Sequence, residues 1–125
     1  DGAKVTIADI DKERVQAVSK KHGGLEALDP NDIVTSDCDI FAPCALGAII
    51  NDQTISKLKC KIVAGAANNQ LAENRHGDAL RELGILYAPD FVANAGGLMN
   101  VFVELEGYSS ERAFEKTKKV YDNVL

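Results

Sequence analysis

The residues best suited to chemistry follow short apolar runs, in segments that carry amides, glycines and one carboxylate. Asp9 ends the first apolar run, which starts at Val5. Three later segments, 43–47, 66–70 and 90–97, also follow apolar runs and are rich in small residues and side-chain amides. Such segments let a backbone approach a ligand closely and offer hydrogen-bond donors and acceptors with little charge. They suit a polar, largely neutral ligand group such as a ribose or a carboxamide.

Asp9 is the most informative single residue. An acid at the end of a strand that is followed by a helix is where dinucleotide-binding folds hold the adenosine ribose. A carboxylate there repels a 2′-phosphate by about 3 kcal/mol per charge at about 5 Å and an effective dielectric near 20. Ile10 and Asp11 bring no compensating cation, so the sequence predicts NAD rather than NADP. The alternative for Asp9 is a helix cap or a solvated turn acid.

The elements that must position these residues alternate between short apolar runs and amphipathic stretches, a pattern typical of βαβ units in a parallel sheet. We predict strands over residues 5–9, 38–42, 61–65 and 85–88. Helices are predicted over about 12–22, 52–58, 77–83, 96–106 and 111–124. In an open parallel sheet, ligands bind beyond the carboxyl ends of the strands, where the segments described above lie.

A dinucleotide site also needs a G-x-G-x-x-G loop between its first strand and helix, and the sequence has none. In that fingerprint the ribose-binding acid lies about 20 residues beyond the glycines. We therefore expect a first strand and a glycine-rich loop upstream of Asp1; the alternative is a fold that never had a phosphate-binding loop. The predicted fold class is α/β, a Rossmann-like parallel sheet flanked by helices that is incomplete at its start.

The composition and charge of the chain limit the classes of molecule that it could bind. The chain has 125 residues and a formal charge of −5, with 14 basic and 19 acidic side chains. No basic run could neutralise a phosphate backbone, and no apolar stretch reaches the ~18 residues of a membrane span. Nucleic acid and membrane are therefore excluded as expected partners. Three cysteines without paired metal-ligand spacing indicate reduced thiols in a cytoplasm, and we predict no metal site.

Three long motifs are more specific than this general pattern. They are Asp39–Gly47 (DIFAPCALG), Ala64–Leu71 (AGAANNQL) and Tyr87–Gly97 (YAPDFVANAGG), with further matches at 75–77 and 104–108. In this order they resemble the NAD-binding domain of the glutamate/leucine/phenylalanine/valine dehydrogenase family, closest to its leucine dehydrogenase branch. The resemblance covers nearly the whole chain. In that family the glycine-rich loop precedes the strand that ends at the position of Asp9.

The resemblance implies reversible oxidative deamination, in which an L-amino acid passes a hydride to NAD+ and yields a 2-oxo acid, ammonia and NADH. It assigns the adenosine ribose to Asp9 and the adenosine side of the cofactor to Cys44, Ala45 and Leu46. Asn69 lines the nicotinamide and the substrate carboxylate, and Asn94 binds the carboxamide. From the residues alone, Asn69 is interpreted as a turn residue, and Cys44 as a loop-packing or cofactor-contact residue rather than a nucleophile.

Leu98 and Val101 match wall positions of the family's substrate pocket. Their i, i+3 spacing at the start of a helix also places them on one face, which favours a branched aliphatic substrate. The family's catalytic lysines and aspartate belong to a separate N-terminal substrate domain. We therefore assign no catalytic residue to this chain, which we interpret as a partial NAD-binding domain over residues 1–125. The full-length protein is expected to be a homo-oligomer, and this segment alone to be inactive.

Other functions are compatible with the same residues. A valine or phenylalanine dehydrogenase is one alternative, because the missing domain contributes the rest of the substrate pocket. A nucleotide-sensing module without catalytic activity is another, since it would reuse the same loops. His76, which precedes Gly77 at a predicted helix start, is expected to have a polar capping or solvent role rather than a catalytic one.

Overall fold

The chain alternates short parallel strands with helices. The structure is a computed structural model that describes residues 2–105 and 107–124, with residues 120–124 described by their backbone alone. The strands are β1 (Thr6–Ile7), β2 (Glu26–Ala27), β3 (Ile40–Phe41), β4 (Ile62–Val63) and β5 (Leu86–Tyr87). The α-helices are α1 (Lys12–Lys21), α2 (Arg75–Glu82), α3 (Asp90–Ala93), α4 (Ala95–Leu105) and α5 (Ser110–Val124). The predicted α/β class is confirmed.

The strands form two parallel sheets where the sequence predicted one. β1 pairs with β2, and a second sheet has the order β3-β4-β5. In the second sheet Ile40, Ile62 and Leu86 lie side by side in register, and Phe41, Val63 and Tyr87 form the next row. Every connection between paired strands contains a helix or a 3₁₀ turn, because a parallel crossover cannot be made by a tight turn.

Local signals in the sequence explain most helix ends. Asp11 caps α1, since its side chain accepts the Arg14 N–H at 3.0 Å, as predicted. Ser109 caps α5 by accepting the Arg112 N–H at 3.4 Å. Gly84 follows α2 with φ of +73°, a left-handed conformation that glycine adopts without strain.

Several predicted elements differ from the structure. β2 was missed because both of its residues are exposed and give no apolar run. α3 was also missed, because Pro89 was interpreted as an end signal, whereas it serves as the helix N-cap. The helix predicted over 52–58 is a 3₁₀ turn at Ile55–Lys57, and α2 begins two residues before Gly77.

The core lies on one face of the three-stranded sheet. Its buried members are Val34, Phe41, Ile50, Cys60, Val63, Leu80 and Ile85. The other face is less covered: Ile40 is 56% exposed and Leu86 is 66% exposed. We call Ile40, Ile62 and Leu86 the open row, because the three apolar side chains adjoin across the sheet on this side.

Burial at Leu80 should dominate the stability of α2. Leu80 is fully buried, whereas Leu83 at the end of the same helix is 56% exposed. Leu80→Ala is expected to lower the free energy of unfolding by about 2–5 kcal/mol, because the cavity cannot fully collapse. Leu83→Ala is the matched control and should change it by less than about 0.5 kcal/mol. Urea denaturation checks both, and equal effects would contradict this account of the core.

A polar network ties the start of α2 to the preceding loops. Arg75 makes two hydrogen bonds of 2.7 Å to the Asp52 carboxylate and two of 3.0 Å to that of Glu73. His76 is 1% exposed. Its Nδ1 accepts the Glu73 N–H at 3.0 Å and its Nε2 lies 3.1 Å from Asp52 Oδ1. His76 therefore has the polar capping role that was predicted, but in a buried position rather than in solvent.

This network also accounts for the one cluster of potential metal ligands found among the described residues. Ligand atoms of Asp52, Glu73 and His76 lie within 4.8 Å of one another. The Arg75 guanidinium already pairs with both carboxylates, and both ring nitrogens of His76 have partners. The cluster is therefore an ion-pair network in which a cationic side chain takes the place that a metal ion would need.

The network should make stability fall at acid pH. The Arg75 hydrogen bond, followed by that of His76, lowers the pKa of Asp52 to about 2, against about 3.9 in an unfolded chain. The folded state thus favours the carboxylate, so this stabilisation is complete above about pH 4 and is lost as pH falls toward about 2. Circular dichroism of urea unfolding between pH 6 and pH 2 should show a smaller acid loss in Asp52→Asn. Asp32→Asn, which removes no cap hydrogen bond, is the control and should keep the pH profile of the unmodified chain. An Asp52→Asn profile identical to that of the unmodified chain would refute the role of Asp52.

Candidate functional site

The carboxyl ends of β3, β4 and β5 lead into three segments that meet. The first two touch through their backbones: the Ala67 N–H donates to the Pro43 carbonyl at 2.9 Å, and the Ala48 N–H donates to the Asn69 carbonyl at 2.7 Å. Gly65 makes this approach possible, because a Cβ at that position would collide with the Pro43 backbone. The segments after β3 and β4 are therefore joined edge to edge.

Gly47 repeats this close approach further along the same segment. A Cβ on residue 47 would lie 2.7 Å from the Asn68 carbonyl oxygen and 2.8 Å from that of Asn69. A larger residue would push the two segments apart. The two glycines thus fix how close residues 43–47 come to the Asn68–Asn69 turn.

The segment after β5 joins the same turn through side chains. Asp90, the first residue of α3, accepts the Asn69 N–H with Oδ2. Asn94, which ends α3, donates from Nδ2 to the Asn68 side-chain oxygen. Asn69 and Asn94, predicted separately from two motifs, therefore lie in one hydrogen-bonded cluster, which we call the amide cluster: Asn68, Asn69, Asp90 and Asn94.

The buried side chain of Gln70 supports the Asn68–Asn69 turn. It is fully buried, and Nε2 donates to the carbonyls of Gly65 at 2.6 Å and Ala67 at 3.0 Å. Its Oε1 is buried and has no hydrogen-bond partner among the described residues. These bonds close the backbone between β4 and Asn68, so the side chains of Asn68 and Asn69 stay exposed while their support is internal.

The other predicted contact residues are accessible. Cys44, Ala45 and Leu46 lie in the segment packed against the amide cluster, with a free thiol at Cys44 and Leu46 84% exposed. Leu98 and Val101 lie on α4, which begins directly after Asn94, and are 75% and 51% exposed. The structure thus leaves both aliphatic side chains available for a ligand on the helix that leaves the cluster.

Asp9 lies in a different setting, at the end of β1 in the two-stranded sheet. It borders a cavity of about 150 Å³ lined by Ile7, Ala8, Asp9, Arg14, Val15 and Val18. Its Oδ1 accepts the Asp11 N–H at 2.9 Å, and its Oδ2 lies 3.9 Å from the Arg14 guanidinium. The contacts of Asp9 are thus local, and they do not join it to the amide cluster.

Arg14 changes the electrostatic argument at this position. Ile10 and Asp11 supply no cation, as the sequence indicated, but the first turn of α1 brings the Arg14 side chain to Asp9. The sequence did not reveal this contact, because Asp9 lies outside α1 and the pairing depends on how the chain turns from β1 into that helix. Arg14 is 67% exposed, so its pairing with Asp9 is a weak surface ion pair.

The donor set fits the polar ends of a nicotinamide dinucleotide. Neutral amides with both donors and acceptors suit a carboxamide, and a carboxylate beside a small cavity suits ribose hydroxyls. Ionisable groups at the amide cluster are few: Asp90 is engaged by Asn69 and Phe91 N–H groups, and burial, followed by the Asp90 charge, raises the pKa of Tyr87. The chemistry of the amide cluster is therefore suited to binding and orienting a polar ligand.

Three members of the site were not identified from the sequence. Asn68 was interpreted as a possible turn residue, Asp90 was only the start of a segment, and Gln70 was not singled out. A signal existed for Asp90, because an acid directly after a Pro that ends a strand is well placed to accept N–H groups of a following helix. Nothing in the sequence pattern marks the contact between Asp90 and Asn69, since 21 residues separate them.

The described helices include none that is long and apolar enough to cross a lipid bilayer.

Comparison with known proteins agrees with the motifs. Residues 2–124 match the family model of Glutamate/Leucine/Phenylalanine/Valine dehydrogenase. The chain is 58% identical over 124 residues to a leucine dehydrogenase of Geobacillus stearothermophilus, covering 99% of the chain and 34% of the relative. It is 48% identical over 125 residues to a phenylalanine dehydrogenase of Thermoactinomyces intermedius, again covering 99% of the chain and 34% of the relative.

A solved structure shows the same fold. The crystal structure of L-tryptophan dehydrogenase from Nostoc punctiforme superposes with a TM-score of 0.91 at 45% identity, over 95% of this chain and 36% of that one. The chain thus spans about a third of the length of the curated relatives it matches. On the matched residues and the shared fold together, the chain belongs to the glutamate/leucine/phenylalanine/valine dehydrogenase family.

Proposed function

We propose that the chain is the nucleotide-binding part of an NAD-dependent dehydrogenase that reversibly deaminates a branched aliphatic L-amino acid, leucine-like, to a 2-oxo acid and ammonia. The observation that carries this proposal is the amide cluster, in which Asn69 and Asn94 come together beside the Cys44–Leu46 segment. Membership of a family of amino acid dehydrogenases supports the reaction class.

The two sheets support the domain assignment. Read across, the strands run β2-β1 and β3-β4-β5. One additional parallel strand between β1 and β3 would give the six-strand order of a dinucleotide-binding fold, 3-2-1-4-5-6. We propose that a preceding segment supplies this strand with the glycine-rich loop, and that a separate N-terminal substrate domain supplies the catalytic groups.

In this proposal each described residue binds or orients. Asp9 accepts hydrogen bonds from the adenosine ribose, and Cys44, Ala45 and Leu46 line the adenosine side. Asn69 faces the nicotinamide and the substrate carboxylate, and Asn94 hydrogen-bonds the carboxamide. The bound nicotinamide supplies the chemistry by accepting the hydride from the amino acid Cα. Exact placement of the two amides matters, because a small misplacement in a near-attack geometry is costly in rate.

Cofactor preference rests on Asp9 and Arg14 together. The Asp9 carboxylate disfavours a 2′-phosphate, whereas an arginine at such a site can accommodate one. As long as Arg14 is paired with Asp9, its charge is partly neutralised. We therefore propose NAD as the cofactor, with Asp9 acting both as a ribose ligand and as the counter-charge of Arg14.

Asp9→Ala should shift cofactor preference toward NADP in the full-length enzyme. Loss of the carboxylate removes the repulsion and frees Arg14, so the ratio of kcat/KM for NAD+ to that for NADP+ should fall by roughly 10-fold or more, equivalent to about 1.4 kcal/mol. Steady-state kinetics with both cofactors measures the ratio.

A double variant separates the two contributions. Asp9→Ala with Arg14→Ala should lose part of the gain in NADP+ activity, because the cation that Asp9→Ala released is gone. An unchanged ratio in Asp9→Ala would remove Asp9 from the ribose role, and equal ratios in the single and double variants would remove Arg14 from cofactor selection.

A branched aliphatic substrate is the best-supported choice. Leu98 and Val101 offer two exposed aliphatic side chains on α4, next to the amide cluster. Sequence identity is higher to the leucine dehydrogenase than to the phenylalanine dehydrogenase, 58% against 48%. Valine or phenylalanine as the preferred substrate is the closest alternative, because one methylene in an apolar pocket changes selectivity by only about 1–3 kcal/mol.

Assay of the full-length protein tests the reaction class and the substrate together. With NAD+ and L-leucine, L-valine, L-phenylalanine or L-glutamate, we expect NADH formation at 340 nm to be fastest with leucine, and slowest with glutamate because its side chain is charged. NADH from phenylalanine ahead of leucine would replace the substrate assignment.

No NADH from any of the four amino acids would refute the enzyme proposal. Retained NAD+ binding in that case would favour a nucleotide-sensing module. We also propose that the full-length protein is cytoplasmic, because the three cysteines of this chain are free thiols. We further propose that it is a homo-oligomer, which light scattering of the full-length protein tests.

A further inference from the structure

The short helix α3 is attached to the Asn68–Asn69 turn at both ends. At its start, Asp90 accepts the Asn69 N–H with Oδ2 and the Phe91 N–H with Oδ1, the latter at 2.9 Å. At its end, Asn94 donates to the Asn68 side chain. One carboxylate thus bridges the turn that follows β4 and the helix that follows β5.

The backbone that Asp90 holds is unusual. Asn69 has φ of +51°, a left-handed conformation that costs a non-glycine residue about 1 kcal/mol or more. Asparagine tolerates it better than most residues, yet external bonds are needed to keep the turn in a single conformation. The Asn69 N–H has Asp90, and the Asn69 carbonyl has the Ala48 N–H at 2.7 Å. The peptide groups on both sides of this residue are therefore fixed.

The Asn69 side chain is exposed, and the direction in which its Cβ leaves the chain is set by its backbone. A left-handed residue points its Cβ differently from an extended one, and a change in φ would redirect the amide by several ångströms. The bond to Asp90 is made by a charged acceptor, which is roughly twice as strong as a neutral one. Asp90 therefore constrains the direction in which the Asn69 side chain leaves the backbone.

We infer that Asp90 is a positioning residue: its carboxylate locks the left-handed backbone of Asn69 and so aims the Asn69 amide at the nicotinamide and substrate. This inference rests on the proposed function for the role of Asn69, while the contact between Asp90 and Asn69 stands independently of it. Asp90 acts through Asn69 and does not itself touch the ligand.

Kinetics of the full-length enzyme test the positioning role. Asp90→Ala should lower kcat/KM for leucine roughly 10- to 100-fold, the effect of losing a charge-assisted hydrogen bond, with most of the loss in kcat. The Kd of ADP-ribose, which lacks the nicotinamide, should change less than twofold, because that ligand does not reach Asn69. Asp90→Asn keeps one acceptor oxygen and should recover part of the activity.

A matched control is available on another helix. Asp78 is an exposed aspartate in the first turn of α2 that pairs with Arg81 at 2.9 Å. Asp78→Ala removes a comparable carboxylate without touching the amide cluster, so its kcat/KM should remain at the original value. An Asp90→Ala enzyme as active as Asp78→Ala would overturn the inference, and so would equal losses of kcat/KM and ADP-ribose affinity, which indicate general damage.

A measurement without any ligand separates the two proposals. Hydrogen exchange at the Asn69 backbone N–H can be measured by NMR, or by mass spectrometry of peptides that cover residue 69. It should be at least about 10-fold faster in Asp90→Ala than in Asp78→Ala. If the unmodified enzyme oxidises none of the amino acids, the proposed function fails, and this exchange alone decides whether Asp90 fixes the Asn69 backbone. Unchanged exchange overturns the inference, as does faster exchange with unchanged kcat/KM.

Discussion

The close backbone contact between the segments after β3 and β4 is the constraint on which the rest of the site depends. Gly65 lets the Pro43 backbone approach, and Gly47 lets the Asn68 and Asn69 carbonyls approach. Once these segments touch, the Asn68–Asn69 turn has one available position, and Gln70 closes it from the core side. The polar groups that face outward are thus positioned by small residues and by buried hydrogen bonds.

The buried core and the amide cluster lie in separate parts of the described chain. The core and the Arg75 network lie on the covered face of the sheet and around α2, where burial and ion pairing hold the helix in place. The amide cluster lies beyond the strand ends, and its members are exposed or half-buried. The two regions share few side chains, so substitutions at exposed positions of one region should leave the other intact.

The sequence predicted the fold class and the segments that meet, because apolar runs mark strands and the ends of parallel strands share an edge. The caps at Asp11 and Ser109 involve only residues close in sequence, so they too follow from local chemistry. β2, which has no apolar run, was missed, as were the contacts of Asp9 with Arg14 and of Asp90 with Asn69, which depend on how elements pack. Interactions between residues close in sequence could be predicted, whereas contacts between distant segments required the three-dimensional structure.

The open row of Ile40, Ile62 and Leu86 has a practical consequence. Adjacent exposed aliphatic side chains on a sheet form a hydrophobic patch, and association of two such patches buries both from water. Residues 1–125 expressed alone should therefore aggregate before they unfold. Polar substitutions at Ile40 and Leu86 should reduce this aggregation.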